Sequence, residues 1–224
     1  MKTSPALLGL LASIVVVVAL TGFSAPAAAT GPVGFDGTWK TQRFSLFSSN
    51  KYKFGGSSVS MTSNGSVSLA YRSLPESFWS AGNAAWSWRV DEGVPGTDLR
   101  QKGGDDRNLA LYFVFLPEAE AARLKGGNVR DLLSNDAARV LIYVWGGAHN
   151  RGDFLDSPYL GSRGKTVVLR PSGTGSASEN INLDRDYKKA FGGTKTALVG
   201  LALSGDSDDT DTSIRASLSG LNLN

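Results

Sequence analysis

Six aspartates fall in two short stretches, and each stretch adjoins an apolar run. Asp105 and Asp106 follow Gly103-Gly104 and precede the run from Leu109 to Phe115. Asp206, Asp208, Asp209 and Asp211 occupy the turn after the run from Thr196 to Ser204. Carboxylates so placed can hold a cation or act as general acid and base. The order DSDDTD loosely echoes a calcium loop, because Ca²⁺ takes roughly six to eight oxygens from carboxylates, carbonyls and water. It lacks the glycine at the sixth position and the distal glutamate, so it is not an EF-hand. A solvated turn is the default expectation, with a structural calcium ion at Asp206, Asp208, Asp209 and Asp211 as the sharper alternative. If the two stretches converge, Asp105, Asp106, Asp206 and Asp208 form a joint acidic site. Paired carboxylates about 5–10 Å apart can hydrolyse a glycosidic bond.

Other chemistries find less support. His149 is the one histidine, there is no cysteine, and no G-x-S-x-G occurs. A Ser-His-Asp hydrolase, a zinc centre and thiolate chemistry are therefore not expected. His149, in a polar loop, is expected to be exposed and inert. The five tryptophans suggest sugar recognition, in which rings stack on aromatic planes while polar neighbours meet the hydroxyls. Trp79, Arg89, Trp145 and Asn150 are candidates for such a surface. Lys102 and Arg107, beside Asp105 and Asp106, could meet an acidic glycan, although flanking charges of this kind are mostly solvated. Trp86, Trp88 and Trp145 lie on strands, where core packing is the expectation for at least two of them.

These residues need a scaffold, and its pattern is that of short strands. Trp86, Trp88 and Val90 alternate with Ser87 and Arg89, the period of a half-buried strand. Leu109–Phe115 is apolar on both faces, and the two segments read as a hairpin-like unit. Trp39–Phe47 opens the fold with bulky residues in alternation. Ser57–Met61 and Ser66–Tyr71 read as a hairpin around the turn signal Asn64-Gly65. Pro117–Arg123 suits a helix start, and Val129–Leu133 a further turn. Ala138–Trp145 is a buried strand, and residues 146–153 form a polar loop. Thr166–Arg170 is a short strand and Pro171–Glu179 a Gly/Ser-rich loop. Asp184 is expected to cap a helix over Arg185–Phe191, ended by Gly192-Gly193. Thr196–Ser204 and Ser213–Leu223 complete the strands. Eight or nine strands with two or three short helices point to an all-β fold, a single-domain, jelly-roll-like antiparallel β-sandwich.

The chain opens with a leader pattern: Lys2, an apolar run from Leu7 to Leu20, and Ala27-Ala28-Ala29. Cleavage after Ala29 leaves a domain over residues 30–224. Without cysteine there is no lipid-bearing N-terminal residue, so a periplasmic or secreted protein without a lipid anchor is expected. No membrane span is expected after the leader. Export without disulfides fits a bacterial envelope. The formal charge is +3 over the whole chain, Lys2 included, and the basic residues are scattered. A nucleic-acid partner is therefore not expected.

Several motifs in order resemble a family of bacterial exported proteins known as domain of unknown function 3047. They are W-x-W-x-V at Trp86–Val90, G-D-D at Gly104–Asp106, and Tyr143-Val144-Trp145 with Ser157-Pro158-Tyr159 following. Asp186-Tyr187 with Phe191-Gly192 comes next, then Asp206-x-Asp208-Asp209-Thr210. The resemblance covers most of residues 30–224. It implies a jelly-roll-like sandwich similar to carbohydrate-binding modules and brings no established activity. Many members carry an arginine shortly after G-D-D where this chain has Ala110. The reading is non-catalytic recognition of a glycan or cell-envelope component, with no redox or nucleotide cofactor. A carboxylate-dependent, glycosidase-like hydrolase and a structural envelope protein are the alternatives.

Overall fold

The computed structural model describes residues 31–124 and 134–224. The leader, and the turn expected at Val129–Leu133, lie outside the described residues. Two sheets face each other. One holds β1 (Gly31–Pro32), β3 (Lys51–Phe54), β4 (Ser58–Asn64), β6 (Asn83–Glu92), β11 (Gly175–Asn182) and β13 (Ser213–Leu223). Their order is β11-β6-β13-β4-β3, with β1 beside β13. The second holds β2 (Lys40–Arg43), β5 (Ser68–Ser73), β7 (Arg107–Leu116), β8 (Arg139–Trp145), β9 (Phe154–Ser157), β10 (Gly161–Arg170) and β12 (Ala197–Asp206). Their order is β2-β5-β12-β7-β8-β10-β9. The described helices are a short 3-10 turn at Glu76–Phe78, α1 (Glu118–Arg123) and α2 (Leu183–Phe191). The all-β sandwich is as the sequence predicts, with one exception to antiparallel pairing: β8 and β10 run parallel.

Alternation decides which residues meet between the layers. In β6, Trp86, Trp88 and Val90 are buried while Ser87, Arg89 and Asp91 are exposed. Trp88 lies edge-on to Trp145 with centroids 5.7 Å apart, and Trp86 meets Phe113 at 6.1 Å and Tyr143 at 5.9 Å. These contacts join the six-stranded sheet to the seven-stranded one. Aromatic side chains bury large apolar areas and add roughly 0.5–1.5 kcal/mol per favourable pair beyond that burial. The strands β7, β8 and β12 are buried on both faces because their sheet is covered twice. Its outer face carries a second apolar cluster, including Ala110, Val114, Ile142 and Val144, roofed in part by Leu99, Leu155 and Leu160.

Several local expectations are corrected by this topology. Asn64-Gly65 does make a turn, with Gly65 at φ +50°, but β4 pairs with β3 and β13 while β5 pairs with β2 and β12. The turn is thus a corner between layers, not a hairpin. It is held by buried hydroxyls, Ser63 Oγ lying 2.8 Å from Ser207 Oγ. Likewise β6 and β7 are not paired; they belong to opposite sheets. Of Trp39–Phe47 only Lys40–Arg43 is strand, and Phe44, Leu46 and Phe47 point to solvent. The loop expected at Pro171–Glu179 becomes strand from Gly175 onward, because its backbone extends the six-stranded sheet along β6. Helix α2 is capped by Asn182, whose side chain accepts from the Arg185 N–H at 2.7 Å, and Asp184 sits in the first turn instead.

One rim of the sandwich closes tightly. At Gly205, a Cβ would come within 2.3 Å of Met61 Cε and 2.8 Å of the Asn108 carbonyl oxygen. Only glycine fits between the Asn108 carbonyl of the neighbouring strand β7 and Met61 of the other sheet, and this is the rim that bears the acidic residues.

Candidate functional site

The antiparallel register of β7 and β12 sets Arg107 opposite Asp206, which brings the two acidic stretches to one rim. Arg107 Nη1 donates to Asp105 Oδ2 at 2.7 Å and to the Asp105 carbonyl at 2.8 Å, and lies 3.3 Å from Asp206 Oδ2. Its Nη2 donates to Tyr112 Oη at 2.9 Å, and Tyr112 Oη is 3.1 Å from Ser204 Oγ. Tyr159, from the turn after β9, donates to Asp105 Oδ1 at 3.0 Å. Asp105, Asp106, Arg107 and Asp206 are all buried. The backbone at Gly146, φ +156°, passes directly over Arg107, and a Cβ there would lie 2.7 Å from Arg107 Cβ.

Asp106 organises the neighbouring turn. Its Oδ2 accepts from the Thr210 N–H at 2.7 Å and from Thr210 Oγ1 at 2.5 Å, and its Oδ1 accepts from Asp209 N at 3.4 Å. Oxygens of Asp106, Asp208 and Asp209 lie within 4.8 Å of one another, a spacing that suits a shared cation. Asp206 and Asp211 stand outside that trio; Asp211 lies against Gly65.

Burial shapes the electrostatics. It pushes Asp206 up to about 8, and the Asp208 carboxyl reinforces the shift while Arg107 opposes it. Burial works against the charge on Arg107, yet Tyr112, Asp206 and Asp105 outweigh it and hold its pKa above the ordinary value. Of the carboxyls around Arg107, Asp206 is thus the one whose burial favours the protonated form. Burial, then the Asp105 carboxylate, raises the Tyr159 hydroxyl, which stays a neutral donor.

These residues close one end of a recess of about 420 Å³ on the outer face of the seven-stranded sheet. Val67, Leu69, Val114, Ile142, Leu160 and Ala202 line the rest, and Phe44 and Tyr159 stand on its wall. Asp105, Arg107, Asp206, Asp208 and Asp209 all contribute to the lining. An apolar cleft with a few convergent polar groups is the usual form of a small-molecule site.

The remaining candidates from the sequence do not join this recess. Trp145 is buried against Trp88 and cannot stack on a ligand; the expectation of an exposed ring there is corrected by its place between the layers. Trp79 is half-buried, its ring N–H turned to the Leu74 carbonyl. Arg89 lies on the outer face of the opposite sheet, paired with Asp91. Asn150 is exposed in its loop, with its N–H donating to Asp153. Lys102 is exposed, with its ammonium 5.5 Å from the Tyr159 ring centroid. His149 is neither exposed nor idle: its side chain is 12% exposed, and Nε2 accepts from the Leu99 N–H at 3.1 Å. That contact seats Leu99 on the recess wall. Tyr112, Ser204 and Tyr159 were missed. The first two are polar residues inside apolar strands, a signal that could have been read.

Fold and site together define an all-β sandwich with a ligand-sized recess outside one sheet. The chain belongs to the family described as protein of unknown function (DUF3047), whose model matches residues 37–222. Among curated proteins, none matches the sequence significantly. The fold is similar to the xyloglucanase domain of NopAA, a type three effector from Sinorhizobium fredii solved with cellobiose. Identity there is 10% and the TM-score 0.45, over 83% of this chain and 92% of that one. It is also similar to the K3 cleaved adhesin domain of Lys-gingipain from Porphyromonas gingivalis. That likeness has 11% identity and a TM-score of 0.38, over 88% of this chain and 97% of that one.

Proposed function

We propose that this protein binds a small amphipathic component of the cell envelope in the recess of the seven-stranded sheet. The observation that carries the reading is the recess itself, apolar along Leu69, Val114, Ile142 and Ala202 and polar where Arg107, Tyr112, Ser204 and Asp206 meet. Its mouth is apolar too. The four exposed large hydrophobic residues among those described are Phe44, Leu46, Phe47 and Tyr159. Phe44 and Tyr159 both line the recess, and the other two follow Phe44 directly. The leader pattern in residues 1–29 supports an envelope setting. A bare glycan is less well served, because the tryptophans of the strands are committed to the core. The ligand class that fits is an apolar tail joined to a hydroxyl- or amide-bearing end, which the Ser204 hydroxyl can meet.

Calorimetry against fatty acids, lysophospholipids, and cello- and xylo-oligosaccharides tests this. Binding by the tailed compounds, abolished in Ala202→Leu, is the expected outcome. Binding by oligosaccharides alone, or tailed ligands held equally well by Ala202→Leu, would overturn it.

Hydrolysis is the second reading, favoured by one observation: Asp105, Asp206, Asp208 and Asp209 line the same recess. It expects turnover of a chromogenic glycoside or ester, lost in Asp206→Asn with an unchanged melting curve.

A further inference from the structure

We infer that the connection from β2 to β3, together with Tyr159, docks the protein on the surface of a lipid bilayer that carries anionic headgroups. Strand β2 lies at one edge of the seven-stranded sheet and β3 at one edge of the six-stranded sheet. Residues 44–50 therefore cross the open side of the sandwich. This crossing carries Phe44, Leu46 and Phe47, which are 60%, 88% and 97% exposed. With Tyr159 they are the four large hydrophobic residues left exposed among those described. Leu46 and Phe47 do not serve the fold, since neither packs in either apolar cluster of the sandwich. Exposed apolar groups gathered at one place mark an interaction site.

The chemistry around these tips selects the partner. Arg43 ends β2 and Lys51 begins β3, so a cation stands on either side of the apolar residues. Both are exposed, and neither makes an ion pair among the described residues. Lys102, exposed as well, has its ammonium 5.5 Å from the Tyr159 ring centroid. Apolar tips flanked by cations suit a membrane interface, where the tips enter the acyl boundary and the cations meet phosphates. A second protein is a poorer match. A standard interface buries about 800 Å² per partner, which three tips and a tyrosine do not supply, whereas a bilayer accepts single tips without a matching shape. Asp208 and Asp209, exposed at the closed end of the recess, oppose the attraction to anionic lipid, so the apolar tips carry most of the binding. Docking here sets the recess mouth, where Phe44 and Tyr159 stand, against the membrane, and a tailed ligand then enters without crossing water. That supply rests on the function proposed above; the docking itself does not.

Flotation of residues 30–224 with lipid vesicles tests the docking; the apolar run from Leu7 to Leu20 is left off because it would bind vesicles by itself. Vesicles of phosphatidylglycerol and phosphatidylethanolamine should carry the protein, and vesicles of phosphatidylcholine alone should carry less. The double variant Leu46→Ser/Phe47→Ser should keep its melting temperature and bind vesicles at least tenfold more weakly. Fluorescence of Phe47→Trp should be quenched by brominated lipid, and high salt should weaken binding without abolishing it. No flotation, equal flotation of the double variant, equal binding to both vesicles, or complete release by salt would overturn the inference. So would a dimer in analytical ultracentrifugation that the double variant disperses, since the tips would then meet a second copy. Monomeric lysophospholipid separates this inference from the recess reading. If it fails to bind while vesicles do, the docking holds and the recess reading falls. If it binds while vesicles do not, the docking alone falls.

Discussion

The outer faces of the two sheets obey the same alternation and end in opposite chemistry. Outside the six-stranded sheet stand Ser87, Arg89, Ser176, Ser178, Ser217 and Ser219, short hydroxyls and a charged residue bordering a shallow depression. Outside the seven-stranded sheet stand Ala110, Val114, Ile142, Val144 and Ala202, which bury themselves under loops and leave a deep recess. A face of serines is satisfied by water and needs no cover. An apolar face must be covered, and where the cover is incomplete a cavity for a ligand remains. On the proposed reading of the recess, the seven-stranded side is the working face.

Substitutions can break that contrast, beginning with the core both faces share. Trp88→Ala should destabilise by about 3–5 kcal/mol in chemical denaturation, since it empties the junction with Trp145 and Trp86. Next comes the charge pair on the working face. Arg107→Ala leaves Asp105 buried without its cation and should cost about 3 kcal/mol or more. The matching change on the other face, Arg89→Ala, removes an exposed pair and should cost no more than about 0.5 kcal/mol. If the two arginine variants melt alike, the distinction between the faces fails.

A pH series sharpens the comparison further. Asp206 titrates near 8 in the folded protein, above the ordinary value of 3.8, so the native state holds its proton more tightly than the unfolded chain does. Its contribution to stability is complete below about pH 4, declines as pH rises through 8, and is flat beyond. In calcium-free buffer the melting temperature should therefore fall between pH 5 and about 8.5, and Asp206→Asn should remove that part of the slope. The smallest effect is expected from Ser217→Ala, within about 0.5 kcal/mol, because its hydroxyl faces water.

Sequence reasoning reached the strands whose alternation or apolar runs are clean, namely β6, β7, β8, β12 and β13. Assignment of strands to sheets was out of reach, because Asn64-Gly65 has the same local chemistry at a corner as in a hairpin. The strand β11 was hidden for a different reason. Its inward residues Ala177 and Ile181 are interrupted by Glu179, an acid kept inside by Arg170 Nε at 2.8 Å and Arg151 Nη2 at 2.9 Å. Both arginines precede the strand, Arg151 by a long way, and no residue pattern within β11 reveals them. Convergence of the two acidic stretches could be anticipated, since each adjoins a strong strand. The recess could not, because it needs Tyr159 from a distant turn and the outward residues of three strands at once.

The rung joining Arg107 to Asp206 has a role beyond the site. From Ala197 to Leu203 the strand β12 is almost uniformly apolar, and sliding it by one position would merely trade one greasy side chain for another. The polar rung cannot be traded this way: displaced by a single residue, Asp206 would leave Arg107 and turn toward the interior. It serves as an indexing pin, fixing which way a featureless ribbon settles before any ligand is met.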